Sequence, residues 1–248
     1  MTRPNLTLAG LHLAGNALLL WLGYYWLGTS ESRTLTLLWS FAVALVAVCL
    51  ACWLHGGTLV YYADPEAGLR RAFRTALRHL PAILAAALAV VVVYVLISRW
   101  EDASSPYAFK TASWLTLKLR KPVRPAAVMR VVSAAFFVVR WMILPWLLLP
   151  LVAGIARGGW GGFRRFARHG GRRLYWLKAP VLALCAFWLP WRLIGWVPHV
   201  DSFVLEILSF TVRLLCAYLL FVGAWLLLAF WTSAGKPVAS QPKTAVSP

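Results

Sequence analysis

Acidic residues are scarce: seven Asp and Glu stand in 248 residues, against 25 Lys and Arg. So few carboxylates leave no paired-acid cluster of the kind that holds Mg²⁺ in lipid-headgroup transferases. Charge of either sign is thin as well, 13% of residues where soluble domains carry about 25%. A water-soluble globule of this size is excluded on that ground, and an apolar content of 61% excludes a disordered chain. Four cysteines do not make a disulfide-stapled secreted scaffold. Also missing are a Gly-Lys-Ser/Thr phosphate loop, a Gly-x-Ser-x-Gly elbow and a His-Glu-x-x-His metal site. These absences point to a protein that is not an enzyme and holds no cofactor or metal.

What the chain has is apolar length. Crossing a hydrocarbon core about 30 Å thick at about 1.5 Å per residue takes about 20 residues. Six stretches qualify: Leu6–Leu27, Leu35–Leu54, Leu80–Ile97, Val128–Ile155, Leu177–Val197 and Phe203–Trp231. The expected fold is therefore all-α, a polytopic membrane domain over residues 1–232. The first stretch is too long for a signal-peptide core and reads as a retained span. Residues 233–248, polar and holding three prolines, read as a short disordered cytoplasmic tail.

Six crossings put both termini on one side, with segments 55–79 and 156–179. That side carries fourteen Lys and Arg, the other seven, among them Lys118. The excess predicts cytoplasmic termini in a cell membrane. Trp26, Trp53, Trp100, Trp176, Trp196 and Trp231 fall near span ends, as expected of an interfacial aromatic belt.

Two basic segments face the predicted cytoplasmic side. In Glu66–Leu80, Arg70, Arg74 and Arg78 repeat at every fourth residue beside Leu69, Phe73, Leu77 and Leu80. Such spacing makes one basic and one apolar stripe on a helix, and Asp64-Pro65-Glu66 supplies a cap, a first-turn proline and an acid at its start. In Phe163–Lys178, Arg164, Arg168 and Arg172 step likewise until Gly170-Gly171 interrupts them. Both are expected to lie flat as interfacial amphipathic helices with arginines toward anionic phospholipid. Three roles stay open: plain anchoring, docking of a soluble cytoplasmic partner, or recognition of a specific lipid. The Glu-Ala-Ala…Leu-Pro loop of ATPase-coupled permeases is met only by Glu66-Ala67-Gly68 and Leu80-Pro81, at too short a spacing.

This layout, with Pro65-Glu66-Ala67-Gly68-Leu69-Arg70-Arg71-Ala72-Phe73 leading into a span and Arg157-Gly158-Gly159-Trp160 before the second basic segment, resembles a diffuse group of six-span bacterial membrane proteins. That group includes the membrane domain attached to some glycerophosphodiester phosphodiesterases. The resemblance implies a six-helix membrane fold; no phosphodiesterase catalytic domain accompanies these residues, so it implies no activity.

Ionisable side chains inside spans cost about 2.5–3.5 kcal/mol at mid-helix and call for an explanation. Arg140 falls in the fourth span, Arg192 toward the end of the fifth and Arg213 in the sixth, with Glu206 as the one acid inside a span. Pro145, Pro150 and Pro190 interrupt the same spans, each freeing a backbone carbonyl one turn back. Together they predict a polar, net positive cavity between spans four, five and six, suited to an anionic group. The competing reading pairs Glu206 with one arginine and lets the others snorkel to the headgroups.

Elsewhere the residues are less telling. His12 and Asn16 lie one turn apart on the first span, and His55 with Gly56-Gly57 reads as a turn at a span end. Cys49 and Cys52 form a C-x-x-C inside an apolar span, where thiols act as small apolar groups. Gly10, Ala14 and Gly23 allow close helix approach. The expected function is a non-enzymatic transport component or assembly partner that handles an anionic amphiphile or lipid headgroup. The alternative is a structural or anchoring subunit of a larger membrane complex, and an enzyme comes third. Expected partners are the bilayer, a soluble cytoplasmic protein or other membrane subunits, and no nucleic acid.

Overall fold

The computed structural model describes residues 5–30, 32–168, 173–198 and 202–233, and these form helices and connections with no strand. The first long helix, α1 (Leu6–Leu27), coincides with the expected span. Its start is capped by Asn5, whose side chain accepts from the Leu8 amide. The next, α2 (Thr34–Ala63), runs nine residues past its expected end. His55-Gly56-Gly57 is thus helical and not a turn. A short 3₁₀ turn at Pro65–Ala67 and Gly68, with φ of 79°, precede α3 (Leu69–Arg78). Asp64 makes no capping bond, so the expected start signal belongs to the turn and not to α3.

Helix α4 (Leu80–Leu119) is 40 residues long, more than twice the expected third span. The apolar stretch stops at Ile97, but nothing in Arg99–Leu119 stops a helix, and Pro106 is absorbed within it. The turn is made at Arg120, in the left-handed region (φ 50°, ψ 30°). From there the chain returns as α5 (Pro125–Val138), a π-helical turn at Val139–Ile143 and α6 (Leu144–Gly158). A 3₁₀ stretch, Gly159–Arg168, leads toward α7 (Arg173–Ala183). A second π-helical turn (Leu184–Trp188), α8 (Leu189–Gly195) and α9 (Phe203–Ser233) complete the fold.

Six of these helical runs are long and apolar enough to cross a membrane. The fold is accordingly an all-α polytopic membrane protein. One end of the bundle, its base, gathers α3, the 3₁₀ stretch and the start of α1, where the Asn5 amide donates to the Tyr61 hydroxyl at 2.8 Å. The core is densest near this base, where Leu59, Ala76, Ala82, Ile83, Ala153, Ile155, Ala179 and Leu228 are buried together.

Helix α3 docks on protein. Ala72, Phe73 and Ala76 are buried, the Trp53 indole donates to the Phe73 carbonyl at 3.1 Å, and the Phe73 ring sits on Gly57. A Cβ at Gly57 would lie 2.7 Å from that ring, so only glycine permits the approach. The apolar stripe expected to enter lipid is largely spent on α2, although Leu77 stays exposed.

Candidate functional site

Arg140 owes its setting to Pro145. Lacking an N–H, Pro145 cannot continue the helical ladder, and the chain slips into the π-turn, with the Leu144 amide bonding the Val139 carbonyl. The Arg140 carbonyl, which Leu144 would have used, accepts instead from the Tyr94 hydroxyl at 2.7 Å. The Arg140 guanidinium donates to Glu101 at 2.7 Å, and both side chains are about a fifth exposed. Two residues of α4, seven apart, thus hold the backbone and the side chain of one arginine. Glu101 therefore joins Glu206 as an acid inside a long helix. The Arg140 Nε is buried with no hydrogen-bond partner.

Arg213, buried in α9, donates from Nη1 to the carbonyls of Leu193 and Ile194 at 3.4 and 3.3 Å. These are among the last carbonyls of α8, which lack intrahelical partners and carry the negative end of its dipole. A cation there caps one helix from another. Arg192 and Glu206 are exposed. The four residues therefore do not converge on one polar cavity: Arg140 is tied to α4, Arg213 to the end of α8, and the other two face outward.

A pocket does lie between the fourth, fifth and sixth crossings, but aromatic groups line it. It measures about 520 Å³ and is walled by Phe137 and Trp141 on one side, Phe187, Trp188 and Trp191 on the other, and Phe221 of α9. The two π-turns face each other across it, with the Trp141 and Phe187 rings 6.1 Å apart. Phe187 meets Phe221 edge-on at 6.3 Å. Leu-Pro-Trp follows each π-turn, at 144–146 and at 189–191, so one local sequence produces both bulges. Isolated π-bulges concentrate at functional sites. Reasoning from charge overlooked this pocket; the repeated Leu-Pro-Trp, with an aromatic three or four residues before each proline, was the available signal.

Pro150 bears out the expected need for a substitute donor. The Trp146 carbonyl one turn back accepts from the Tyr175 hydroxyl at 2.7 Å. A separate polar knot joins α1 and α2. Thr58 donates its proton to the Leu54 carbonyl at 2.9 Å, so it must accept at 2.6 Å from His12 Nε2. His12 Nδ1 then accepts from Asn16, whose other amide proton goes to the His12 carbonyl. The tautomer follows from the network, and both His12 ring nitrogens, the Thr58 hydroxyl and the Asn16 amide nitrogen have partners, which fits a structural role. Beside it the His55 ring meets the Trp225 ring edge-on at 4.8 Å.

At the base, Arg70, Arg74 and Arg78 are exposed on α3. Arg164 is exposed as well, but its segment is 3₁₀ and not α-helical. At about 120° per residue, a step of four no longer returns to the same face, so the α-helical spacing assumed for this segment does not hold for the backbone over Gly159–Arg168. Gly162 explains the tight path, for a Cβ on it would lie 2.5 Å from the Gly154 carbonyl oxygen. Arg172 lies outside the described residues, and Arg168 is described by its backbone alone. His79 packs on Gly159, bringing the two basic segments together. No group of three or more His, Cys, Asp or Glu among the described residues could hold a metal ion.

No known family, no curated protein and no solved structure matches this chain.

Proposed function

We propose that this is a non-enzymatic membrane component that handles an anionic amphiphile, its acyl part in the aromatic pocket and its headgroup at Arg192. The observation that carries the reading is the pocket itself, at two facing π-turns and lined by aromatic rings. Rings and aliphatic walls suit a hydrocarbon chain and offer a polar solute little beyond indole N–H groups. Trp188, Trp191 and Ile194 are exposed, so the pocket opens to the surface that lipid covers. Arg192 is exposed beside Trp191, within a turn of the end of α8 and so at headgroup depth, where a guanidinium pairs well with phosphate or carboxylate. One residue from Trp141, the unpaired Arg140 Nε leaves a further buried donor. The base, with Arg70, Arg74, Arg78 and Arg164 exposed, faces the cytoplasm in a cell membrane and meets anionic phospholipid there.

The test uses purified protein in bilayer nanodiscs with phosphatidylglycerol or phosphatidylcholine carrying a photoreactive acyl chain. The expected result is crosslinking concentrated on residues 184–195 and on Phe221, stronger for phosphatidylglycerol, with that preference lost in Arg192→Gln and the crosslink lost in Phe187→Ala. Labelling spread evenly over the six crossings, or indifferent to headgroup charge, would overturn the reading.

A further inference from the structure

The outer half of α4 carries a feature that the lipid pocket does not use. The contact between Gly56 and Ile83 sets a common level for α2 and α4. From there α2 extends about 33 Å to Thr34 and α4 about 54 Å to Leu119, at about 1.5 Å per residue. The hairpin of α4 and α5 thus overtops its neighbour by about 20 Å. Its apolar crossing ends at Ile97, so Trp100 stands at the membrane edge, with Tyr107 and Trp114 about 10 and 21 Å further out. Headgroups add only about 5–8 Å on each side. Measured from Ile97, Trp114 stands beyond the headgroups.

These three rings repeat at seven-residue intervals on one face. Trp100 is 68% exposed, Tyr107 66% and Trp114 60%. Ala103, Lys110 and Leu117, three residues after each ring, are exposed at the other seam positions of the same heptad, and Lys110 lies 5.7 Å from the Tyr107 ring centre. At about 100° per residue the stripe points away from Ala108 and Ala112, which are buried, and at its inner end Trp100 also meets the Phe136 ring of α5 edge-on at 5.5 Å. Trp and Tyr dominate binding energy at protein interfaces, and an exposed row of them rising beyond the apolar crossing is a contact surface in waiting.

We infer that this stripe docks an acidic helical segment of another protein along α4. A seven-residue repeat is the period at which a second helix meets the first without drifting off the seam. Charge sets the partner's sign: Lys110, Lys118, Arg120, Lys121, Arg124 and Arg130 surround the hairpin, and no acid occurs between Asp102 and Asp201. A second copy of this chain would set those cations against their own kind. Carboxylates flanking the partner's apolar seam answer them.

The experiment uses the full chain in phosphatidylcholine nanodiscs and a synthetic 28-residue helix with Leu at the seam and Glu beside it, against a scrambled peptide of equal composition. The ordered peptide should bind about tenfold more tightly than the scrambled one. Tyr107→Ala and Trp114→Ala should each lower its affinity about tenfold without changing the melting temperature. Lys110→Glu should transfer preference to a Lys-flanked version. Equal binding of both peptides, or indifference to Trp114→Ala, would overturn the inference. So would tighter, ring-dependent binding of polygalacturonate, which would assign the stripe to an anionic glycan. Dimerisation lost in Trp114→Ala would do the same in favour of a second copy.

Discussion

Arg140 shows how one residue's position can follow from another's missing proton. Pro145 takes away an N–H, the turn widens, and the freed carbonyl finds Tyr94 while the side chain finds Glu101. Removing the hydroxyl in Tyr94→Phe leaves that carbonyl without its donor and should cost about 1 kcal/mol. Glu101→Gln leaves a mostly buried guanidinium without its counter-charge and should cost about 2 kcal/mol. Because both act on the same arginine, the double variant should fall short of the sum in thermal unfolding in detergent; full additivity would mean that they act separately. His79 gives a pH-dependent counterpart at the base. Burial, helped by the neighbouring Arg78 guanidinium, holds its imidazole below the ordinary 6.5. The neutral ring is then the form the folded state prefers. Its contribution is complete above the unfolded value and is lost as pH falls through the lower folded one. The thermal midpoint should drop between about pH 7.5 and pH 5, and His79→Gln should flatten that drop. That Arg140 and Arg213 needed partners was legible in the sequence, since a cation in a span cannot stay bare. Which partners they took was not, because Glu101 lies past the last apolar residue of its stretch and the carbonyls of Leu193 and Ile194 leave no trace in composition.

At the scale of elements, apolar run length placed all six crossings but not their ends. Composition detects where lipid would tolerate a segment, whereas a helix continues until something stops it, and in α2 and α4 nothing did until Asp64 and Arg120. The two basic segments look alike in sequence and fold differently. The first has an alanine-rich buried face and two glycines in α2 to receive it; the second begins at glycines, two at 158–159 and two at 161–162, that draw it tightly onto α6. If the glycine seat on α2 is what holds α3, Gly57→Leu should displace Phe73 and destabilise the fold by about 2 kcal/mol. It should also make a cysteine at Ala76, buried in the native packing, react with a soluble maleimide. An unreactive cysteine in the Gly57→Leu background would show that α3 holds its place by other contacts.

Over the whole molecule, charge and length act together. Six crossings put the base and the hairpin tip on opposite sides of the bilayer, and the base carries the larger share of arginine. Arg78 at the end of α3 and Lys118 near the tip are both exposed, so each can take a cysteine without disturbing packing. With the four native cysteines replaced by alanine or serine, Lys118→Cys should be labelled in intact cells by a membrane-impermeant maleimide. Arg78→Cys should be labelled only after the membrane is opened. Labelling of both in intact cells would require an even number of crossings between them. Since α4 alone joins these positions, that result would mean that the apolar stretch from Leu80 to Ile97 does not cross, and the hairpin's height above the bilayer would lose its reference. Labelling with the compartments exchanged would keep the six crossings, and with them the pocket and the aromatic stripe, while reversing which of the two faces the cytoplasm. The two failures are distinct because bundle geometry depends on apolar length alone, whereas orientation depends on where the arginines fall.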